Sequence, residues 1–218
     1  MGTDFQLEIS SIKNNVNLSY VSGINFSHSN SNVYFANQLI SMSNQIIKEL
    51  LIDKFIEEHK SILANSLGYK DVLKVTFKWI ERDKSEPFES RPDFILVKED
   101  STFDILDLKT GAIQFRSLIK KKKLKNSTQI RIRFIDYVNE LISQLEEYKN
   151  CFKYIKNIQY IKNYGLDVDL SNMKLIGVVG NQNNFDSIEV NSALSPFKDY
   201  IKIISYFDLA NMALKIKM

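Results

Sequence analysis

The segment that decides the fold reads Arg91-Pro92-Asp93-Phe94-Ile95-Leu96-Val97, then Lys98-Glu99-Asp100-Ser101-Thr102, then Phe103-Asp104-Ile105-Leu106-Asp107-Leu108-Lys109. Two short apolar runs, residues 94–97 and 103–106, flank a charged turn, and this pattern predicts a β-hairpin. Asp93 precedes the first strand, and Asp107 and Lys109 end the second. The hairpin therefore places two carboxylates and one ammonium group at the ends of paired strands.

These residue types suit metal-dependent cleavage of a phosphodiester bond. A hard cation such as Mg2+ takes oxygen ligands and keeps several waters, so two carboxylates leave positions open for a phosphate oxygen and a water. Asp107 and Lys109 are two residues apart on one strand, and their side chains therefore share one face. Lys109 can then reach the attacking water, whereas Asp104 has the opposite parity and is expected to face away.

An ordinary hairpin with solvent-facing charges at its ends is the alternative interpretation. The position of Asp107 argues against it, because this residue lies between Leu106 and Leu108 in an apolar run. A carboxylate is costly to bury at such a position unless it is paired with a cation or bound to a metal.

The composition fits one soluble globular domain. The chain has 218 residues, of which 44% are hydrophobic and 25% are charged. The single cysteine, Cys151, excludes an intramolecular disulfide and agrees with a cytoplasmic location, which we expect. No apolar run approaches the roughly 20 residues that span a bilayer, and we expect no membrane partner.

The positive charges are unevenly distributed along the chain, although the net charge is only +3. They concentrate in one segment, which contains Lys120, Lys121, Lys122, Lys123, Arg131 and Arg133. Such a segment can bind nucleic acid by contacting phosphates in a salt-dependent way. A solvated loop explains it equally well, and the sequence leaves both interpretations open.

Helical periodicity extends from about residue 33 to residue 67, and a polar cluster at 27–32 predicts a loop before it. If a carboxylate from this helical region joins the hairpin, Glu58 fits best by helical angle and Glu49 second. Solvated surface positions explain either residue as well. Nearer the N-terminus, residues 5–9 alternate as in a strand.

Between this helical region and residue 156, the pattern predicts a core strand over 75–80, a polar loop over 81–90 and a long helix over about 128–156. On that helix Gln144 and Tyr148 are four residues apart and share one face. A glutamine beside an apolar stripe needs hydrogen-bond partners. Phosphate, water, a site carboxylate or the core itself could supply them.

The last part of the chain completes a sheet. Residues 174–180 predict a strand buried on both faces, and residues 200–206 predict a last strand. A closing helix is expected over 208–217, with Ser205 or Asp208 near its start. The order of the predicted elements is typical of an α/β fold with a mixed sheet flanked by helices.

Taken together, these segments resemble the nuclease domain of Shedu-type anti-phage proteins, a branch of the PD-(D/E)XK nuclease superfamily. The likeness spans roughly residues 45–215. It rests on the order and spacing of several motifs, found at residues 55–63, 91–96, 104–110, 142–148, 175–180 and 203–209.

The resemblance implies an α/β fold with a restriction-endonuclease-like mixed β-sheet core flanked by helices. It also implies a metal-dependent DNA endonuclease of anti-phage defence, Mg2+ or Mn2+ as cofactor, and assembly into homo-oligomers. Carried onto this sequence, Asp93 and Asp107 would bind the metal, Lys109 would position the water and stabilise negative charge, and Gln144 would support the site. Residues 1–45 would form an N-terminal extension and residues 46–218 the nuclease domain.

Two features depart from the family pattern. Asp107 stands where Shedu proteins more often have Glu, and residues 114–130 are longer and more basic than expected. The alternative function is a catalytically inactive nucleic-acid-binding or interaction module on the same fold, because a fold does not fix a function. A docking subunit of a larger assembly is a further possibility that the basic segment raises.

Overall fold

The structure is a computed structural model, and it describes residues 28–45, 48–74, 78–80, 87–89, 91–111, 117–123 and 130–216. The chain divides into two compact units, Met1–Ser31 and Asn32–Met218. The sheets and the candidate site belong to the second unit, which also contains residues 32–45 of the predicted N-terminal extension. The predicted strand at 5–9 lies outside the described residues.

The described residues form seven helices and nine strands. They are α1 (His28–Ser43), α2 (Glu49–Glu58), α3 (Lys60–Leu67), β1 (Asp71–Leu73), β2 (Lys78–Ile80), β3 (Pro87–Glu89), β4 (Phe94–Val97), β5 (Phe103–Leu108), β6 (Ile119–Lys123), β7 (Ile130–Phe134), α4 (Asp136–Cys151), α5 (Ile155–Lys162), β8 (Leu175–Val178), α6 (Ser187–Leu194), β9 (Ile201–Ile204) and α7 (Tyr206–Leu214).

A five-stranded mixed sheet forms the centre of the fold, in the spatial order β1-β4-β5-β8-β9. The predicted hairpin is confirmed, since β4 and β5 pair antiparallel with Phe94 opposite Leu106 and Val97 opposite Phe103. On its other side β5 pairs in parallel with β8, and β8 pairs in parallel with β9. All residues of β8 are buried, as predicted for a strand covered on both faces.

Helices cover both faces of this sheet, and the side chains divide between the faces with the strand period of two. On one face Ile95 and Ile105 pack with residues of α4 such as Leu141. On the other face Leu96 and Leu106 belong to a core built with α1, α2, α3 and α7. The predicted α/β architecture is therefore confirmed at the level of a mixed sheet between helical layers.

Several elements differ from the sequence predictions. The helical region 33–67 is three helices, and the first begins at His28, within the predicted loop. One edge strand of the main sheet is β1, which precedes the predicted strand 75–80. Within that predicted strand, residues 78–80 form β2, which pairs with β3 in a separate two-stranded sheet. The strand β3 lies within the predicted loop 81–90. Residues 75–77 lie outside the described part.

The predicted helix over 128–156 is also shorter than expected, because its first part is a strand. Residues 130–134 form β7, which pairs antiparallel with β6, and α4 begins only at Asp136. The β-branched Ile130 and Ile132 alternate with arginines there, a pattern of period two that favours a strand. The helix α4 ends at Cys151, and α5 begins at Ile155.

The closing helix begins at Tyr206, two residues before the predicted start, and Ser205 and Asp208 form a capping box there. The Ser205 hydroxyl accepts a hydrogen bond from the Asp208 backbone N–H, and Asp208 accepts one from the Ser205 backbone N–H. This reciprocal arrangement satisfies two of the free donors at a helix start. Among the described residues, no helix is both long and apolar enough to cross a bilayer.

A buried polar cluster joins the end of β5 to α1 and to the loop after β8. The Asn181 side chain donates to the Ser43 carbonyl at 3.0 Å and to the Gly111 carbonyl at 3.3 Å. The Asn184 side chain donates to the same Gly111 carbonyl at 3.1 Å. A Cβ atom at Gly111 would lie only 2.7 Å from the Ser43 backbone oxygen, so this approach requires glycine.

We expect Gly111→Ala to destabilise the protein by about 1–3 kcal/mol, because the added methyl group meets backbone that cannot easily move. Gly177→Ala is the matched comparison, since its Cβ would meet the ends of the Ile203 and Leu141 side chains. Those ends can rotate away, and the cost should be smaller. Urea denaturation of both variants measures the difference, and an equal or larger loss for Gly177→Ala would contradict this interpretation.

Candidate functional site

The hairpin brings two carboxylates together at the carboxyl end of the central strand. Asp93 lies one residue before β4, and its Oδ2 atom accepts a hydrogen bond from the Leu108 backbone N–H at 2.7 Å. Asp107 is the second-last residue of β5 and is only 3% exposed. Both residues have the parity of Ile95 and Ile105, so they face the α4 side of the sheet.

Lys109 lies beside this pair, on the face that the sequence predicts. Its Nζ atom donates to Asp107 Oδ2 at 2.8 Å and lies 3.8 Å from Glu49 Oε1. Asp104 faces elsewhere, as expected, and is bound by the Tyr69 hydroxyl, the Lys98 ammonium and the Lys174 backbone N–H. Asp104 is thus a structural carboxylate, and Asp107 is the one next to Lys109.

The helical carboxylate at the site is Glu49, whereas the sequence favoured Glu58. Glu49 opens α2 and approaches Lys109, but Glu58 ends the same helix and is exposed to solvent. The apolar periodicity of residues 33–67 predicts one continuous helical stretch and does not show where each helix begins. In the structure α2 begins only at Glu49, and this start directs its first turn toward the end of β5.

Three tyrosine hydroxyls hold the backbone and the acids around the site. Tyr137 accepts a hydrogen bond from the Thr110 N–H at 3.1 Å, and its hydroxyl lies 3.4 Å from Glu49 Oε2. Tyr148 donates to the Arg91 carbonyl at 3.1 Å, and its hydroxyl also interacts with Asp107, which opposes the rise in the pKa of that carboxyl.

The third tyrosine, Tyr206, donates to the Lys109 carbonyl at 2.7 Å. No sequence motif marks Tyr137 or Tyr206 as a site residue. Their one signal is the phenol group, whose hydroxyl usually finds a hydrogen-bond partner when the ring is buried.

Gln144 does not occupy the buried position that the sequence analysis predicts. It is exposed to solvent, while Tyr148 on the same helix is buried. At about 100° per residue, Gln144 nevertheless lies within about 20° of Tyr137 and about 40° of Tyr148 in helical angle. Its side chain is therefore on the site-facing side of α4 but open to solvent, beyond the shell formed by the two tyrosines.

Burial makes the negative charges of this site costly. Burial and, to a smaller extent, the neighbouring charge of Asp107 raise the pKa of Asp93 to about 7, against the hydrogen bond from Leu108. Burial also raises the pKa values of Asp107 and Glu49, against the opposing charge of Lys109. Burial lowers the pKa of Lys109, but the surrounding acids outweigh this effect and the net shift is upward.

A fourth acid, Asp53, lies one helical turn after Glu49. It is 7% exposed, and Lys74 binds its Oδ2 atom at 2.5 Å. Among the residues that the structure describes, its Oδ1 atom is the one buried side-chain oxygen without a hydrogen bond. The negative charge of Asp53 also contributes to the raised pKa of Asp93. The sequence signal for Asp53 is an acidic residue directly after the apolar residues Leu51 and Ile52.

The donor set fits a hard divalent cation. Asp93 and Asp107 offer carboxylate oxygens, the ligands that Mg2+ prefers, and their mutual repulsion would be relieved by a positive ion. Within the described ranges, no group of three or more His, Cys, Asp or Glu side chains is arranged as a metal site. A pair of protein carboxylates agrees with Mg2+, which usually keeps several waters and takes one or two carboxylates.

The basic residues lie apart from these carboxylates, on a second hairpin. Lys120, Lys121, Lys122 and Lys123 belong to β6, and Arg131 and Arg133 belong to β7. They are in paired strands, where the sequence suggested a loop leading into a helix.

A scan with protein-family models gives no match for this chain, and a search of curated proteins gives none either.

We expect Asp93→Asn to stabilise the metal-free protein above pH 7. Because the folded-state pKa of Asp93 is about 7, well above its ordinary value, protonated Asp93 favours the folded state at low pH. This contribution is lost as pH rises through 7, so the neutral Asn variant should gain roughly 1–3 kcal/mol there and little at about pH 4.

Urea denaturation in EDTA over this pH range measures the effect. Asp199→Asn, at an exposed position, is the control and should change the unfolding free energy by less than about 0.5 kcal/mol throughout. A destabilised Asp93→Asn protein above pH 7 would show that the carboxylate is not under repulsion.

Proposed function

We propose that the protein is a metal-dependent DNA endonuclease of the PD-(D/E)XK type, with a restriction-endonuclease-like core. One observation carries this proposal: Asp93 and Asp107 are held together on adjacent strands with the Lys109 ammonium 2.8 Å from Asp107. The resemblance to Shedu-type nucleases supports DNA as substrate, Mg2+ or Mn2+ as cofactor, homo-oligomeric assembly, and anti-phage defence in the cytoplasm as the setting.

The charge balance supports a cation-binding role over a purely structural ion pair. Three acids, Glu49, Asp93 and Asp107, surround the single ammonium of Lys109. A buried structural pair is expected to be balanced and fully hydrogen-bonded, because unpaired buried charge is costly. Burial raises the pKa values of all three acids, and the charge of Asp107 adds to the rise at Asp93 and Glu49, a cost that a bound cation would offset.

Asp93 and Asp107 would hold the metal ion. When bound, such an ion polarises the phosphate and lowers the pKa of a coordinated water. The Leu108 N–H fixes the Asp93 carboxylate, and the Lys109 ammonium fixes that of Asp107, so both acids are oriented before substrate arrives. Such preorganised polar groups need little rearrangement during the reaction.

Lys109 would act through its charge. The neighbouring acids raise its pKa, so it stays protonated at neutral pH and does not serve as a proton acceptor. Its ammonium can orient the attacking water and stabilise negative charge that develops on the phosphate. Two contacts set the position of Lys109. The Glu49 carboxylate lies 3.8 Å from its ammonium, and the Tyr206 hydroxyl donates to its backbone carbonyl.

We expect Asp107→Ala and Lys109→Ala each to lower DNA cleavage by about 100-fold or more, since each removes a group that acts on the reacting phosphate. The assay is cutting of supercoiled and linear plasmid with Mn2+, Mg2+ or EDTA. Asp104→Asn is the control from the same strand and should reduce stability while keeping the cleavage rate per folded molecule. Full activity of Lys109→Ala would overturn its role. Absence of cutting by every protein, with no metal binding in calorimetry, would favour the inactive binding module.

The two helical acids provide a separate test. We expect Glu49→Gln to lower cleavage by about 10- to 100-fold, as is common for residues that position the groups of a metal site. Glu58→Gln, at the exposed end of the same helix, should leave the rate unchanged. The reverse result would restore the assignment made from helical angle. Melting temperatures of both variants show whether α2 stays folded.

A further inference from the structure

The hairpin of β6 and β7 sorts its residues by chemistry between its two faces. Directly opposed residues of an antiparallel pair lie on the same face, and successive residues alternate between faces. One face therefore carries Ile119 with Phe134, Lys121 with Ile132, and Lys123 with Ile130. The other face carries Lys120 with Arg133 and Lys122 with Arg131, so that all four positions are basic.

The mixed face is the inner one. Ile119 and Phe134 are buried and belong to the same core cluster as Val190 of α6. Lys121 on this face forms an ion pair with Glu189, also of α6. These contacts fix which side of the hairpin packs against the protein. Lys121 and Lys123 are exposed as well, but they alternate with apolar residues across the strand pair, whereas the face with Lys120, Lys122 and Arg133 is basic throughout.

The outer face carries positive charge that the protein barely neutralises. Lys120, Lys122 and Arg133 are exposed. Lys120 pairs with Asp136 at 3.0 Å, but that carboxylate is 86% exposed and such a pair contributes little. In the described part of the chain, Lys122 and Arg133 form no ion pair. A row of cations with so little neutralisation on a strand pair is suited to anions arranged in a line.

The base of this hairpin is tied to the candidate site. The Leu118 N–H donates to the Asn184 carbonyl, and the Asn184 side chain donates to the Gly111 carbonyl, two residues after Lys109. At the other strand, β7 runs directly into α4, where Tyr137 accepts from the Thr110 N–H. A polymer held on the outer face is therefore bound by an element anchored next to the site.

We propose that the outer face of this hairpin binds the phosphate backbone of double-stranded DNA, an inference that rests on the proposed nuclease function. A two-stranded ribbon is narrow enough to enter the major groove of B-form DNA, with its cations directed at the flanking phosphates. The major groove of duplex RNA is too deep and narrow for such an element. The inner-face Lys121 and Lys123 take no part.

The test compares two double variants that remove the same charge from opposite faces. Lys122→Gln with Arg133→Gln alters the outer face, and Lys121→Gln with Lys123→Gln alters the inner face. Binding of a short fluorescein-labelled DNA duplex is measured by anisotropy in EDTA, so that cleavage plays no part. The outer-face variant should bind about 10-fold more weakly, and its slope of log K against log salt should fall by about 2.

The inner-face variant should keep the affinity and the slope of the unaltered protein. Equal losses in both variants, or no loss in either, would overturn the proposal. Arg133→Lys keeps the charge and should bind nearly as the unaltered protein does, and melting temperatures show that the exposed substitutions leave the fold intact. An outer-face effect as large on single-stranded DNA or on duplex RNA would overturn the assignment of duplex DNA.

The same experiment separates this proposal from the nuclease assignment. If the unaltered protein cuts no DNA with any metal while the outer-face variant still loses binding, the hairpin surface stands and the nuclease assignment fails. If cleavage depends on Asp107 but both double variants bind and cut normally, the nuclease assignment stands and the hairpin surface fails.

Discussion

The hydrogen bond from the Leu108 N–H to Asp93 joins the start of β4 to the end of β5, and the rest of the site depends on it. It holds the two aspartates at the separation of neighbouring strands, about 4.8 Å between backbones. The sheet that carries them is buried on both faces, so neither strand can shift without disturbing both helical layers. The packing of both strands, and not an attraction between the carboxyl groups, keeps the two acids this close.

The protein around these acids compensates only part of their charge. Lys109 supplies one ammonium, and the Tyr137 hydroxyl supplies a dipole directed at Glu49 without adding charge. A better balanced site would be more stable, and the proposed metal binding rests on this incomplete compensation. The unfavourable repulsion between Asp93 and Asp107 is consistent with the general finding that functional sites lower the stability of the folds that hold them.

Sequence patterns predicted those parts of the fold in which local signals agree with tertiary structure. The apolar runs of β4 and β5 and the charged turn between them specify a hairpin without help from distant residues. The apolar run at 175–178 and the capping residues Ser205 and Asp208 are similarly local. Asp93, Asp107 and Lys109 lie in this hairpin or directly next to its strands, which explains why the centre of the candidate site could be predicted.

The remaining differences arise where tertiary contacts decide between local options. The alternation of Ile130 and Ile132 with arginines was too short to outweigh the helical pattern that follows it. Glu49 and Glu58 have similar surroundings in sequence, and only the start of α2 after Lys48 selects Glu49. Gln144 lies at the correct helical angle, but its exposure depends on how far α4 stands from the sheet, which periodicity does not encode.

The parallel pairing of β5 with β8 has a consequence for the folding pathway. Residues 105–108 pair with residues 175–178, and the whole β6–β7 hairpin, α4 and α5 lie between them in the chain. Such non-local pairing slows folding, because the entropy of closing a long loop is lost before the contact forms. During synthesis, the strand that carries Asp107 keeps an unpaired edge until β8 has been made. The chain is then open to pairing with other strands, and the carboxylate pair gains its final surroundings only late in folding.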